Sequence, residues 1–231
     1  MNPFVFFRLI FIVLSVIGIS FFLPVSVAVY LNENYVISSF LIPATISIVL
    51  GIAFFFIGRK KVVRFSSRSV FLFVACAWIC ISLFGAIPLY FSNAIPSFLD
   101  AFFESCSGFT TTGCTILSEI ESLPRSINLW RCEMHWLGGM GIIALTVALL
   151  PLLGVGGFNL IKAESTGPEK GKITPKMANT AEMLWLLYGS FTLLHAIALR
   201  LCGMDWIDSI SHAFSTLGTG GFSTRNSSIA S

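Results

Sequence analysis

Charge is what this sequence has least of. Only 11% of its 231 residues are Asp, Glu, Lys or Arg, 55% are hydrophobic, and the mean hydropathy is +0.87. An ordinary soluble domain carries about 25% charged residues, so the composition excludes that class and implies an all-α integral membrane protein. The formal net charge is a small +3. No basic stripe interleaves with aromatics on a soluble face, which leaves nucleic-acid binding without support. Paired Cys-x-x-Cys spacing is also missing. Cys76, Cys80, Cys106, Cys114, Cys132 and Cys202 lie in or beside apolar segments and read as small buried side chains rather than zinc ligands. Cys114 stands apart because it follows a loop glycine. His135, His195 and His212 lack the spacing of a metal site and read as packing residues, with His195 alone in the body of a span. No nucleophile sits beside a base in a plausible pocket, so no enzyme chemistry is implied.

What is present is a set of long apolar runs. A spanning helix needs about 20 apolar residues. Leu9 to Leu31, Val36 to Ile57 and Ser69 to Ser97 contain no charge, with Pro88 and Pro96 expected to turn the third run into a loop. Met134 to Lys162 and the shorter Met183 to Leu199 complete five expected spans. The first run has a rival reading as a signal peptide, but it exceeds the roughly 7–15 residues of such an apolar region. Arg59, Lys60, Lys61, Arg64 and Arg68 fill the loop after the second span; Lys162, Lys170, Lys172 and Lys176 fill the loop after the fourth. An even number of crossings separates these loops, so positive charge places both, and the amino terminus, in the cytoplasm. Glu33, Asp100, Glu104, Glu119, Glu121, Glu133, Asp205 and Asp208 fall on the opposite side.

Two stretches interrupt this apolar order. Phe103 to Leu117 runs from a short helical segment into Thr110-Thr111-Thr112-Gly113, and a looser version occupies Ser215 to Thr224. A shift of 108 residues superposes Gly113 on Gly221, Thr111 on Thr219, Ser97 on Asp205 and Asp100 on Asp208. Ser97 and Asp205 are N-cap residues with an acid three positions on, so each should start a short helix. Each helix then meets a Thr/Gly loop too rich in glycine to stay helical. The repeating order is spanning helix, short capped helix, loop, spanning helix. One copy is complete at 69–154, and a second at 179–231 lacks its closing helix. Irregular backbone at membrane depth survives only inside protein or along a wet cavity, where carbonyl oxygens replace the hydration shell of a cation. Helix carboxyl ends aimed inward favour that cation further. Gly138-Gly139-Met140-Gly141 superficially matches a dinucleotide loop, but no strand precedes it, and close helix packing through small residues is the better reading.

These residues, with Trp136 to Gly141, Leu152 to Gly157, Ala163 to Pro168 and Phe214 to Thr224, resemble the Trk/Ktr/HKT superfamily of potassium transporters, and most of all its bacterial TrkH branch. The likeness covers nearly the whole chain. It implies potassium uptake through a pore of four helix–loop–helix repeats in one polypeptide, each giving a filter strand. Here the potassium-binding strands would be Thr110, Thr111, Thr112 and Gly113, then Gly218, Thr219, Gly220 and Gly221, with Gly221 as the key glycine of the second. Glu104, Cys114 and Phe222 would support them. For Glu104, bracing the short helix stands beside a partly wet outer-surface carboxylate. Asp100 and Asp208 read as helix-start residues.

The resemblance further implies a homodimer, a cytoplasmic nucleotide-binding regulatory subunit of the TrkA/KtrA kind, surrounding lipid, and location in the bacterial inner (plasma) membrane. Potassium is then cargo, and no cofactor is expected. The implied domains are an extra amino-terminal helix pair at 1–58, a basic cytoplasmic loop at 59–68, the first repeat at 69–154, a cytoplasmic loop at 155–178 and the second repeat at 179–231. The loop from Lys162 to Lys176 is either a plain positive-inside linker or a face for the regulatory subunit. Length is the departure: two of four strands are present, so the chain is expected to be an amino-terminal fragment or truncated form that does not conduct selectively by itself. A non-conducting scaffold and a broken-helix secondary carrier are the competing classes; the carrier predicts inverted repeats, whereas these copies enter from one side.

Overall fold

The computed structural model describes residues 3–57, 67–149 and 175–228, and its regular elements there are all helical. They are α1 (Pro3–Ser20), α2 (Phe22–Tyr30), α3 (Asn34–Ile57), α4 (Ser67–Phe91), α5 (Phe98–Phe109), a 3-10 turn (Ile120–Ser122), α6 (Arg125–Leu149), α7 (Pro175–Leu201) and α8 (Trp206–Leu217). The basic loop from Arg59 to Arg64, the motifs Leu152 to Gly157 and Ala163 to Pro168, and Lys162, Lys170 and Lys172 lie outside the described residues.

Among the described residues, four stretches are long and apolar enough to cross a membrane: Phe4–Tyr30, Asn34–Ile57, Phe71–Phe91 and Glu182–Leu201. At most 28% of each apolar window is buried by the rest of the chain, which fits helices facing lipid. The first expected span is in fact two helices, α1 and α2. Proline clashes with the carbonyl four residues before it, and Pro24 sets that clash at Ser20, where α1 ends. Pro88 does not end α4 as expected; the helix continues to Phe91. Membrane helices tolerate proline, and one residue from the Phe84 carbonyl that Pro88 leaves without its helix donor, Trp130 Nε1 of α6 donates to the Gly85 carbonyl at 3.0 Å. Helix α6 starts nine residues before the expected Met134 and so carries Arg131 and Glu133. Both are buried by protein, and a search for uncharged runs cuts such a helix short.

The amino-terminal helices share one core with the first repeat. Phe21 is fully buried, its ring 4.7 Å from Trp130 of α6, 5.2 Å from Phe84 of α4 and 5.5 Å from Phe40 of α3. Trp130 also meets Phe109, the last residue of α5, at 6.0 Å. α5 lies between α4 and α6, and α8 between α6 and α7, so α6 touches both short helices. At the end where α6 begins, the Glu33 carboxylate accepts from Arg125 N (2.8 Å) and Ser126 N (3.1 Å). An acid there satisfies orphan N–H groups and complements the helix dipole.

α1 and α3 approach through small residues, the packing that lets helix backbones meet in lipid. Ser15 Oγ donates to Ser47 O at 2.8 Å, and a Cβ on Gly51 would run into the Ser15 side chain, whereas one on Gly189 of α7 would meet nothing within 4 Å. Overpacking costs about 1–3 kcal/mol. Gly51→Leu should therefore lower the thermal unfolding midpoint of the detergent-solubilised protein, and Gly189→Leu should leave it unchanged; equal midpoints for the two variants would refute this packing.

Candidate functional site

Both short helices start as their sequences prescribe. Ser97 accepts from Asp100 N at 3.4 Å in α5, and Asp205 accepts from Asp208 N at 2.8 Å in α8. They also end alike, which the sequence alone did not reveal. In α5, Thr111 N bonds to Gly108 O (3.0 Å) and Thr112 N to Ser107 O (3.0 Å); in α8, Thr219 N bonds to Thr216 O (3.0 Å) and Gly220 N to Ser215 O (2.9 Å). This pair of bonds is the Schellman closure, which needs a left-handed residue just past the cap. Thr111 (φ 57°) and Thr219 (φ 56°) fill that place. A β-branched residue there is strained, and the strain recurs at the same point of each copy. Two residues later Gly113 (φ 74°) and Gly221 (φ 95°) are also left-handed.

The closing bonds occupy the carbonyls of Cys106, Ser107 and Gly108, and of Phe214, Ser215 and Thr216. Among the described residues, no donor reaches a carbonyl from Thr110 to Gly113 or from Gly218 to Gly221. The two loops are neighbours: a Cβ on Gly113 would collide with the Gly220 carbonyl oxygen. The structure thus brings together two runs of unengaged carbonyls, each at a helix carboxyl end where the dipole is negative. Such a place suits a cation. Loop 1 adds hydroxyls, since Thr110 Oγ1 donates to Cys106 O (2.7 Å) and shares a hydrogen bond with Thr112 Oγ1 (2.8 Å). Cys114 is an exposed free thiol. No group of three metal-ligating side chains occurs among the described residues.

Glu104 is fully buried, which rules out a wet surface carboxylate. It accepts from Thr115 Oγ1 (2.9 Å) and Ile116 N (3.2 Å), just beyond the first loop, and from Arg131 Nε (2.8 Å) and Nη2 (2.6 Å). Arg131, fully buried too, carries the network to the second copy. Its Nη1 reaches Asn128 Oδ1 (3.2 Å) and Ser223 O (3.5 Å), and its guanidinium lies 4.4 Å from the Phe222 ring centre. The buried Phe222 ring stacks on His135 at 4.1 Å. Arg131, His135 and Asp208 were missed as site residues. The i, i+4 spacing of Arg131 and His135, directly ahead of the glycine stripe, was the available signal.

Asp100 is exposed, but Asp208 is buried and does more than start a helix. Arg125 and Arg225 both donate to it (3.1 and 3.0 Å), and Arg125 also pairs with Asp205. Burial alone would push the Asp208 carboxyl up; the hydrogen bonds from Arg225 and Arg125 outweigh it and hold the group below the usual carboxylate range. With Glu121 and Asn128 these residues line a cleft of about 280 Å³. Of the acids expected on one side from the sequence, Asp205 and Asp208 are charge-paired in this cleft.

The fold defines a helical membrane protein built on a spanning helix–short helix–loop–spanning helix unit after an extra amino-terminal pair. The family model for TrkH, a cation transport protein, matches residues 36–231. The Trk system potassium uptake protein TrkH of Escherichia coli K12 is 45% identical over 186 residues, 80% of this chain and 38% of that protein. TrkH of Vibrio parahaemolyticus is 39% identical over 224 residues, 96% of this chain and 46% of that protein. The crystal structure of the potassium transporter TrkH from Vibrio parahaemolyticus matches with a TM-score of 0.82 at 34% identity, covering 99% of this chain and 46% of that one. The chain belongs to the TrkH family. It spans less than half the length of these relatives.

Gly113 and Gly221 differ in what a side chain would cost. Both need positive φ, but only Gly113 also lacks room. Gly113→Ala should unfold at a lower temperature than Gly221→Ala in detergent, and the reverse order would contradict the contact between the loops.

Proposed function

We propose that this chain contributes to a pathway for potassium uptake across the bacterial inner membrane. Its two loops supply Thr110, Thr111, Thr112 and Gly113, and Gly218, Thr219, Gly220 and Gly221, as the ion-coordinating strands. The observation that carries this reading is the pair of adjacent loops whose carbonyls accept no hydrogen bond among the described residues. Carbonyls held without donors replace water around a weakly hydrated cation. Each short helix follows a long apolar helix, and α6 crosses back between the copies, an order in which both enter from one side. This favours two copies of one pore unit over an inverted-repeat carrier. The names of the relatives supply the ion.

Glu104 and Phe222 act as supports through Arg131, and Cys114 borders the path. The units at 1–58, 69–154 and 179–231, the cytoplasmic loops at 59–68 and 155–178 with the amino terminus on the same side, a homodimer and a nucleotide-binding regulatory subunit complete the proposal on family likeness. Two strands do not surround an ion, so residues 1–231 alone should not restore potassium-selective growth to cells lacking other potassium uptake. A full-length protein carrying this chain should. Robust selective uptake by residues 1–231 alone, or none by the full-length protein, would each count against this account.

A further inference from the structure

The second loop has glycine where the first has threonine: Gly218 for Thr110, and Gly220 for Thr112. Neither Gly218 nor Gly220 has a positive φ, so backbone freedom does not explain them. His135 does. A Cβ on Gly218 would strike the His135 carbonyl, and one on Gly220 would strike the His135 ring. The imidazole, fully buried, fills the space that a side chain at position 220 would need. It also holds the loop by a relay. His135 Nδ1 shares a hydrogen bond with Ser215 Oγ (3.0 Å), and Ser215 Oγ accepts from Gly221 N (3.1 Å). The other ring nitrogen, Nε2, has no hydrogen-bond partner among the described residues, so the ring acts through its face and through Nδ1. In the first copy Ser107 corresponds to Ser215, yet its hydroxyl is buried with no partner among the described residues. The relay therefore belongs to the second loop.

We propose that His135 is a positioning residue for ion selectivity: it packs beneath Gly220 and, through Ser215, fixes the peptide of Gly221. This rests on the reading of the loops as the potassium path. The chemistry is that of an imidazole ring and a hydroxyl orienting one N–H, and thereby the carbonyls on either side of it. A relay of this kind sets which ion fits rather than whether ions pass.

The test uses the full-length protein in cells lacking other potassium uptake, measuring potassium and sodium influx separately together with the amount of protein in the membrane. His135→Phe keeps a ring and removes the nitrogen, whereas Ser215→Ala cuts the relay at its other end without changing α6. Each should lower the potassium-to-sodium influx ratio roughly fivefold, the scale of one hydrogen bond. His135→Asn, with an amide placed near Nδ1, should keep the ratio within about twofold of wild type on the same scale. A wild-type ratio in both Ser215→Ala and His135→Phe would overturn the proposal, as would equal losses in His135→Phe and His135→Asn. Absence of potassium influx in the unaltered protein would instead overturn the reading of the loops themselves.

Discussion

A buried ion pair of the first repeat, Arg131 with Glu104, touches the segments that follow both loops. Arg131 and Glu104 are both fully buried and meet at 2.6 Å, with no water available to either. Desolvating two charges costs several kcal/mol each, and only good geometry and complete hydrogen bonding offset it. Here the offset is supplied by both copies: Thr115 and Ile116 follow the first loop, Ser223 and Phe222 follow the second, and Asn128 belongs to the helix between them. Neither loop can shift far without exposing part of this pair to an unpartnered state. Arg131 thus restrains the backbone of both loops from behind.

Helix α6 is the element that makes such sharing feasible. From its start inward it meets Glu33 of the amino-terminal pair, Asp205 and Asp208 at the start of α8, Glu104 of α5, then Ser215 and Gly220 of the second copy. Further along, a Cβ on Gly138 would collide with the Phe109 carbonyl, and one on Gly139 would lie 3.1 Å from the Gly218 Cα. Polar side chains give way to bare backbone contacts where the carboxyl ends of the short helices arrive. The dinucleotide-like glycines are this contact surface. The loops diverge in sequence, Thr-Thr-Thr-Gly against Gly-Thr-Gly-Gly, because only the second leans on His135.

Much of this was legible in the sequence. The caps at Ser97 and Asp205, the register of the repeat and the short helices follow from local rules and appear where they were expected. Lack of charge marked long apolar helices at four places among the described residues but set the start of α6 nine residues late, because buried charge and surface charge look the same in a run of letters. The left-handed threonines were equally hidden: Thr111 and Thr219 are poor candidates for positive φ by intrinsic preference, and the Schellman closure of each helix end imposes it. Glu104 was identifiable as a brace, but its partner was not, since Arg131 lies 27 residues away along the chain. Long-range pairing is the part of a site that local pattern does not carry.

On the reading of the loops as a potassium path, the Arg131–Glu104 pair, reaching both copies, sets the loop geometry on which ion discrimination depends. The most direct measurement is the potassium-to-sodium influx ratio of Arg131→Lys in the full-length protein. Lysine keeps the charge, but its single ammonium lacks the planar fork that serves Glu104, Thr115 and Ser223 together and lies over Phe222. The account predicts a variant that reaches the membrane folded and passes both ions with a markedly reduced preference for potassium. A folded Arg131→Lys protein with the wild-type ratio would contradict it.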